Sequence, residues 1–251
     1  MKTCAVIPAA GRGSRLGLDQ PKLLVELGAN LTAWSVLREK LLGVVDTINV
    51  IVSPRGQELL RERLREDSAR ARIALSVQAR PMGMGDAIFC GYPVWREADA
   101  ILVIWGDQVA VRQQTIRRAL ALHAGAPRTV VLPTVALPQP YVEYVFDGEG
   151  LLTAVRQSRE GDACTPNGQA DIGTFALSTA GLHEAWEQYC VVSGSGALTG
   201  ERNFLPFLPY LSAAGWAVKR MTAAHPDEAR GINTPADLDF LRSLAAAGRL
   251  N

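Results

Sequence analysis

Directly after a short apolar run, the sequence reads Ala9-Ala10-Gly11-Arg12-Gly13-Ser14-Arg15-Leu16-Gly17, with Pro21-Lys22 close behind. Small residues and glycines let backbone N–H groups approach a polyphosphate closely, and such a turn can form an anion-binding nest. Arg12, Arg15 and Lys22 add cations, and a guanidinium can grip phosphate oxygens in a bidentate way. Taken alone, the run could equally be a surface turn with two solvated arginines. Spacing excludes two familiar phosphate loops. The dinucleotide fingerprint needs its third glycine one residue earlier than Gly17, and no Gly-Lys-Ser/Thr triplet of a P-loop is present. A second chemical signal is Trp105-Gly106-Asp107, which ends the most apolar run of the chain. A carboxylate there would face the ligand edge of a sheet, where a hard cation bridging phosphates sits, although an Asp at this place could also cap a helix.

The elements that must carry these residues alternate through the first half. Strand patterns at Thr3–Pro8, Thr47–Val52, 73–78, 100–105 and 129–132 are separated by helical patterns at 32–42, 56–67, 83–92 and Gln113–His123. Short apolar strands spaced by helices predict a mostly parallel sheet covered on both faces, with ligands beyond the carboxyl ends of its strands. The second half breaks this rhythm. Runs 141–146 and 151–156 flank Asp147-Gly148-Glu149-Gly150, a hairpin signal. A polar stretch leads to a strand at 172–177 and a helix at 180–191. Gly194-Ser195-Gly196 reads as a mobile loop. A helix at 204–213 must tolerate Pro206 and Pro209. A strand at 217–221 follows, then a final helix at 235–247 with Thr234 as N-cap and Pro235 at its first position. The expectation is one α/β domain over 1–251, with a nucleotide-binding half (1–135) and an acceptor-binding half (136–251) that ends in a closing helix.

Composition fits. The chain has 251 residues, 48% hydrophobic and 20% charged, which excludes a disordered protein. Its 26 Lys+Arg against 25 Asp+Glu leave no overall field for nucleic acid or anionic lipid, so neither is an expected partner and any anion site must be local. The four cysteines show no metal-ligand spacing. The opening apolar stretch is too short for a signal peptide, and no run approaches the roughly 18 apolar residues of a membrane span, so a cytoplasmic protein is expected.

The run Pro8 to Gly17, followed by Gln20-Pro21-Lys22-Leu23-Leu24, resembles the opening of the sugar-phosphate nucleotidyltransferases. It is most similar to the uridylyltransferase domain of the bifunctional N-acetylglucosamine-1-phosphate enzymes, with Pro8 in place of their leucine. The resemblance implies a GT-A-like Rossmannoid sheet with a smaller hairpin-containing acceptor region. It also implies that Ala9, Ala10, Gly11, Arg12, Gly13 and Lys22 bind nucleotide phosphates. Further matches follow in order. The segment from Gln78 through Met82-Gly83-Met84-Gly85-Asp86 resembles the base-binding segment, so Gln78 should face the base and Gly83 should let it lie against the backbone. Pro81 and Met84 depart from the uridylyl pattern, which leaves UTP or CTP as the donor. Asp107 matches a magnesium ligand, and Asn233, in Arg230-Gly231-Ile232-Asn233, matches its companion. On the acceptor side, Asp171 stands where the family has a sugar-contacting Asn, and Arg156 or Gln157 where it has a Glu. Glu201 and Asn203 lie where the uridylyl enzymes carry Gly-Glu-Tyr-Tyr, here without the tyrosines. N-acetylglucosamine 1-phosphate is therefore not the expected acceptor.

The expected reaction is attack by the phosphate of a sugar 1-phosphate or similar phosphorylated small molecule on the α-phosphorus of UTP or CTP, releasing pyrophosphate, with Arg15, Lys22 and Asp107 as catalytic residues and Mg2+ as cofactor. A phosphate dianion is already nucleophilic, so no histidine base is needed. The main alternative is a cytidylyltransferase for phosphocholine, a phosphonate or a polyol phosphate, which Pro8 and the altered acceptor positions favour. A molybdenum-cofactor nucleotidyltransferase fits Gln78 and the long acceptor half less well. A non-catalytic nucleotide-binding protein fits poorly with Arg15, Lys22, Asp107 and Asn233 occurring together.

Overall fold

The computed structural model describes residues 1–11 and 20–250. In chain order its elements are β1 (Thr3–Pro8), β2 (Glu26–Gly28), β3 (Leu31–Thr32), α1 (Ala33–Leu42), β4 (Thr47–Val52), α2 (Pro54–Arg63), β5 (Ile73–Val77), α3 (Met84–Cys90), α4 (Tyr92–Trp95) and β6 (Ala100–Ile104). They continue with α5 (Gln113–His123), β7 (Thr129–Ala136), β8 (Val142–Phe146), β9 (Leu152–Gln157), β10 (Gln169–Asp171), β11 (Thr174–Ser178), α6 (Leu182–Val192), α7 (Phe207–Ala213), β12 (Ala217–Thr222) and α8 (Pro235–Ala246).

An eight-stranded sheet runs in the order β10-β7-β11-β6-β1-β4-β5, with β12 on the other edge of β7, so it takes strands from both halves of the chain. Strands β5, β4, β1 and β6 are parallel neighbours. β11 runs antiparallel to β6 and to β7, and β12 is parallel to β7. Successive side chains of a strand point to opposite faces, and the apolar runs fill two cores accordingly. Ala5, Ile7, Leu102 and Ile104 pack with Leu37, Leu60, Ile116 and Leu241 on one face. Cys4, Val6, Ile101 and Val103 pack with Ile88, Trp95, Trp186 and Phe207 on the other. No helix among the described residues is long and apolar enough to cross a membrane.

Local chemistry sets the helix starts. Thr32 caps α1 and Thr234 caps α8, each in a reciprocal box with the residue three further on (Ser35, Asp237), and Pro235 follows Thr234. Several expected boundaries shift. The 83–92 helix divides at Gly91 into α3 and α4. The 204–213 helix begins only at Phe207, which moves Pro206 to its N-cap and Pro209 into its first turn, where a missing N–H costs nothing. The expected 172–177 strand begins only at Thr174, as β11, and a separate short strand, β10, precedes it across the bend at Ile172-Gly173. Gly173 has φ +68°, and a Cβ there would come within 2.4 Å of the Gln108 side chain, so the bend needs glycine. The small β2–β3 pair carried no readable pattern.

Candidate active site

The parallel strands place their carboxyl ends along one rim. Pro8 ends β1, and Ala9 N–H donates to Ile51 O of β4 at 2.7 Å, so the start of the phosphate loop lies against its neighbour strand. Gly106, one residue before Asp107, faces this turn: an added Cβ would come within 3.3 Å of Ala9 Cβ. Ala9, Ala10 and Gly11 are described, whereas the expected phosphate contacts Arg12, Gly13 and Arg15 lie outside the described residues.

Lys22, Asp107 and Asn233, far apart in sequence, meet. Lys22 Nζ donates to Asp107 Oδ2 at 3.0 Å and to Asn233 Oδ1 at 2.9 Å. Both members of the Lys22–Asp107 ion pair are about one-fifth exposed, so the cluster opens to solvent. Backbone bonds fix this meeting: Ile232 N–H donates to Asp107 O at 3.1 Å. Gly231 lies so close to Asp107 Oδ1 that a Cβ would stand 3.3 Å from it. Lys22 itself sits at the start of a one-turn helix whose Leu23 and Leu24 are buried.

The loop after Asp107 is held from beneath by groups that no motif announces. Lys40, on α1, is buried, and its Nζ donates to Val109 O at 2.7 Å and Val111 O at 2.8 Å. Burial lowers its pKa to about 8, against an opposing pull from Glu228 and with a smaller lowering by Arg112. Glu228, fully buried, accepts from Arg112 N–H at 2.9 Å and His225 N–H at 2.9 Å. A lysine on an amphipathic helix reads as solvated, so only the three-dimensional packing reveals its position under the Asp107 loop.

The residues expected on the base side also come together. Gln78 N–H donates to Val52 O, and its Nε2 donates to Gly83 O at 3.1 Å and to Asp86 Oδ2 at 2.8 Å. Gly83 has φ +114°, and a Cβ on it would fall 2.7 Å from the backbone of Arg202. Arg202 N–H donates to Met82 O and Gly85 N–H to Arg202 O, which ties this turn to the Glu201–Asn203 segment.

The residues expected to meet the acceptor are differently employed. Asp171 accepts from Tyr144 Oη at 3.0 Å and from Gly173 N–H at 2.6 Å. Burial raises the pKa of this carboxyl, and burial together with the Asp171 carboxylate pushes the Tyr144 hydroxyl well above its ordinary range. Glu201 and Asn203 share Arg159: its Nη2 reaches Glu201 Oε2 at 2.6 Å and also Asn203 Oδ1. Glu160 accepts from Asn203 Nδ2, Thr199 Oγ1 and Leu198 N–H, and these bonds overcome its desolvation and hold its pKa down at about 2. Residues 198–203 are thus tied to the turn after β9. Arg156 pairs with Glu143 at 3.1 Å. The three histidines lie elsewhere: His123 is buried against Ser178, His183 stacks on Tyr92, and His225 accepts from Asp227 N–H.

A cation site of one carboxylate and one amide oxygen suits magnesium, which takes few protein ligands and completes its shell with phosphate oxygens and water. The Lys22 ammonium lies between those two oxygens and is itself a stand-in cation for the site. No cluster of three or more His, Cys, Asp or Glu side chains able to hold a metal occurs among the described residues.

The family model of the MobA-like NTP transferase domain matches residues 5–196. The chain is 28% identical over 240 residues to the bifunctional protein GlmU of Syntrophotalea carbinolica, covering 93% of this chain and 49% of that protein. The same protein of Aquifex aeolicus is 28% identical over 253 residues, covering 96% and 52%. The chain therefore spans about half the length of these curated relatives. A solved nucleotidyl transferase from Methanothermobacter thermautotroptrophicus is similar in fold, with a TM-score of 0.65 over 98% of this chain and 99% of that one, at 22% identity.

Proposed function

Because the chain belongs to the MobA-like NTP transferase domain family, we propose that it transfers a nucleotidyl group from UTP or CTP to a phosphorylated small molecule, with magnesium, and releases pyrophosphate. The observation that carries this reading is the convergence of Lys22, Asp107 and Asn233 beside the phosphate turn at one rim of the parallel strands. Neighbouring strands lie about 4.8 Å apart, so Gln78 after β5 and Asp107 after β6 are separated by three spacings, about 14 Å. A nucleotide laid along the rim, base toward Gln78 and phosphates toward Asp107, spans that interval.

In this reading an acceptor phosphate oxygen forms a bond to the α-phosphorus while the bond from α-phosphorus to the bridging oxygen breaks, and that oxygen's electron pair leaves with pyrophosphate. Asp107 and Asn233 hold the magnesium, which supplies charge neutralisation at the phosphates. Lys22, released from its two oxygens, turns its ammonium to the phosphates. Ala10 and Gly11 offer backbone N–H groups, while Ala9 spends its own on Ile51 O; by sequence, Gly13 joins them through its backbone and Arg12 and Arg15 through their guanidinium groups. No proton transfer is required, so catalysis rests on positioning and charge.

The acceptor half, 136–251, takes the phosphorylated substrate near Asp171, Glu201 and Asn203. One observation favours a non-sugar acceptor such as a polyol phosphate, a phosphonate or phosphocholine. These side chains, which would contact a sugar in the uridylyl enzymes, are bonded to Tyr144, Gly173, Arg159 and Glu160. Pyrophosphate release from the four NTPs against a panel of sugar and non-sugar phosphates tests both readings. Release with UTP or CTP and one acceptor class supports the proposal; no release with any pair contradicts it.

A further inference from the structure

The turn that holds Gln78 bears on which base is taken. Gln78 is 7% exposed, at the carboxyl end of β5. Its Nε2 donates to Gly83 O and to Asp86 Oδ2. An amide nitrogen has two hydrogens, so these bonds use its whole donor capacity. Both partners are pure acceptors, and turning the amide over would set Oε1 against a carbonyl and a carboxylate at about 3 Å. What remains for a ligand is Oε1, to which no described side chain donates.

Resting on the nucleotidyltransferase reading above, we infer that Asp86 is a specificity-determining residue. By holding the Gln78 amide with its carbonyl oxygen outward, it selects cytosine over uracil. Cytosine carries an amino group at position 4, where uracil carries a carbonyl. The amino group donates to Oε1; the carbonyl meets it lone pair against lone pair. Uracil's single N–H is flanked by two carbonyls, so it reaches Oε1 only with another oxygen crowded beside it. Asp86 never touches the base. It acts through the amide, from the first turn of α3.

The test is nucleotide binding to the whole chain by calorimetry, with magnesium and no acceptor. CTP binds about tenfold or more tightly than UTP, the size of one hydrogen bond gained against one repulsion. Asp86→Ala frees one Nε2 hydrogen to donate to the uracil carbonyl while the other stays on Gly83 O, and brings the two affinities within about threefold. Asp86→Lys offers a donor to Oε1, leaves an N–H for the base, and moves the preference to UTP. UTP binding as tightly as CTP to the wild type overturns the inference. So does an unchanged ratio in folded Asp86→Ala, which decides the matter should Asp86→Lys fail to fold. If neither nucleotide binds, the proposed function falls and this inference with it; if UTP is preferred, only the inference falls.

Discussion

The rim that carries Lys22, Asp107 and Asn233 and the patch that carries Asp171, Glu201 and Asn203 contain the same kinds of polar side chain, yet the fold treats them in opposite ways. At the rim, Lys22 bridges Asp107 and Asn233 at a partly exposed position, while neighbouring backbone and buried groups such as Lys40 and Glu228 fix the loops beneath. In the proposed reaction a cation takes the place of Lys22 at these oxygens, and the ammonium turns to a phosphate, without breaking any of that support. On the acceptor side, Asp171 and Asn203 are bonded through both polar atoms to Tyr144, Gly173, Arg159 and Glu160, and Glu201 gives one oxygen to Arg159. A residue at a motif position is available to a ligand only if the fold has not already employed it.

The largest effect should follow from breaking the rim itself. Asp107→Ala lowers turnover by about 10³-fold or more in a pyrophosphate-release assay, with an unchanged circular dichroism spectrum. Turnover within tenfold of wild type would remove the distinction between the two regions.

The support beneath the rim comes next. Lys40→Met leaves the Val109 and Val111 carbonyls without their buried donor and should cost about 3 kcal/mol of stability, a fall of about 10 °C in Tm. The same residue gives a pH signature. Its folded-state pKa, about 8, lies below the ordinary 10.5. The folded chain therefore gives up this proton first, and the stability contribution is complete above 10.5 and lost as pH falls through about 8. Urea unfolding of the wild type should gain stability over that window relative to Lys40→Met, and a flat difference would argue against a buried ammonium.

How much of this was legible beforehand depended on the physics involved. β1, β4 and α5 follow from apolar runs and helical spacing alone, and the ordered motifs pointed to Lys22, Asp107 and Asn233, which the fold brings together. The break at Gly173 was not readable, because it depends on Gln108 and Trp105 crowding that glycine from another strand end. Lys40 was missed for a related reason: a charged residue on a helix looks solvated until the carbonyls beneath it are known. Asp171, Glu201 and Asn203 were readable as positions but not as states, since sequence does not show which hydrogen bonds are already made.

On the acceptor side, effects should be smaller. Glu160→Gln weakens the ties to Thr199 and Leu198, and is expected to raise the acceptor KM about tenfold while kcat changes little. An equal fall in kcat would mean that this loop shapes the transition state. Smallest of all, Glu201→Gln keeps a hydrogen-bonding oxygen for Arg159 and should alter kcat/KM by about threefold or less. A loss approaching that of Asp107→Ala would show Glu201 to be a direct acceptor ligand and would erase the contrast.

The central claim, a cation site made by Asp107 and Asn233 that serves a bound triphosphate, is tested most directly by manganese binding measured by electron paramagnetic resonance in the presence of CTP or UTP. Wild type binds one ion with the nucleotide, and Asp107→Ala and Asn233→Ala each weaken it by about tenfold or more. Affinity unchanged in both variants would contradict the claim.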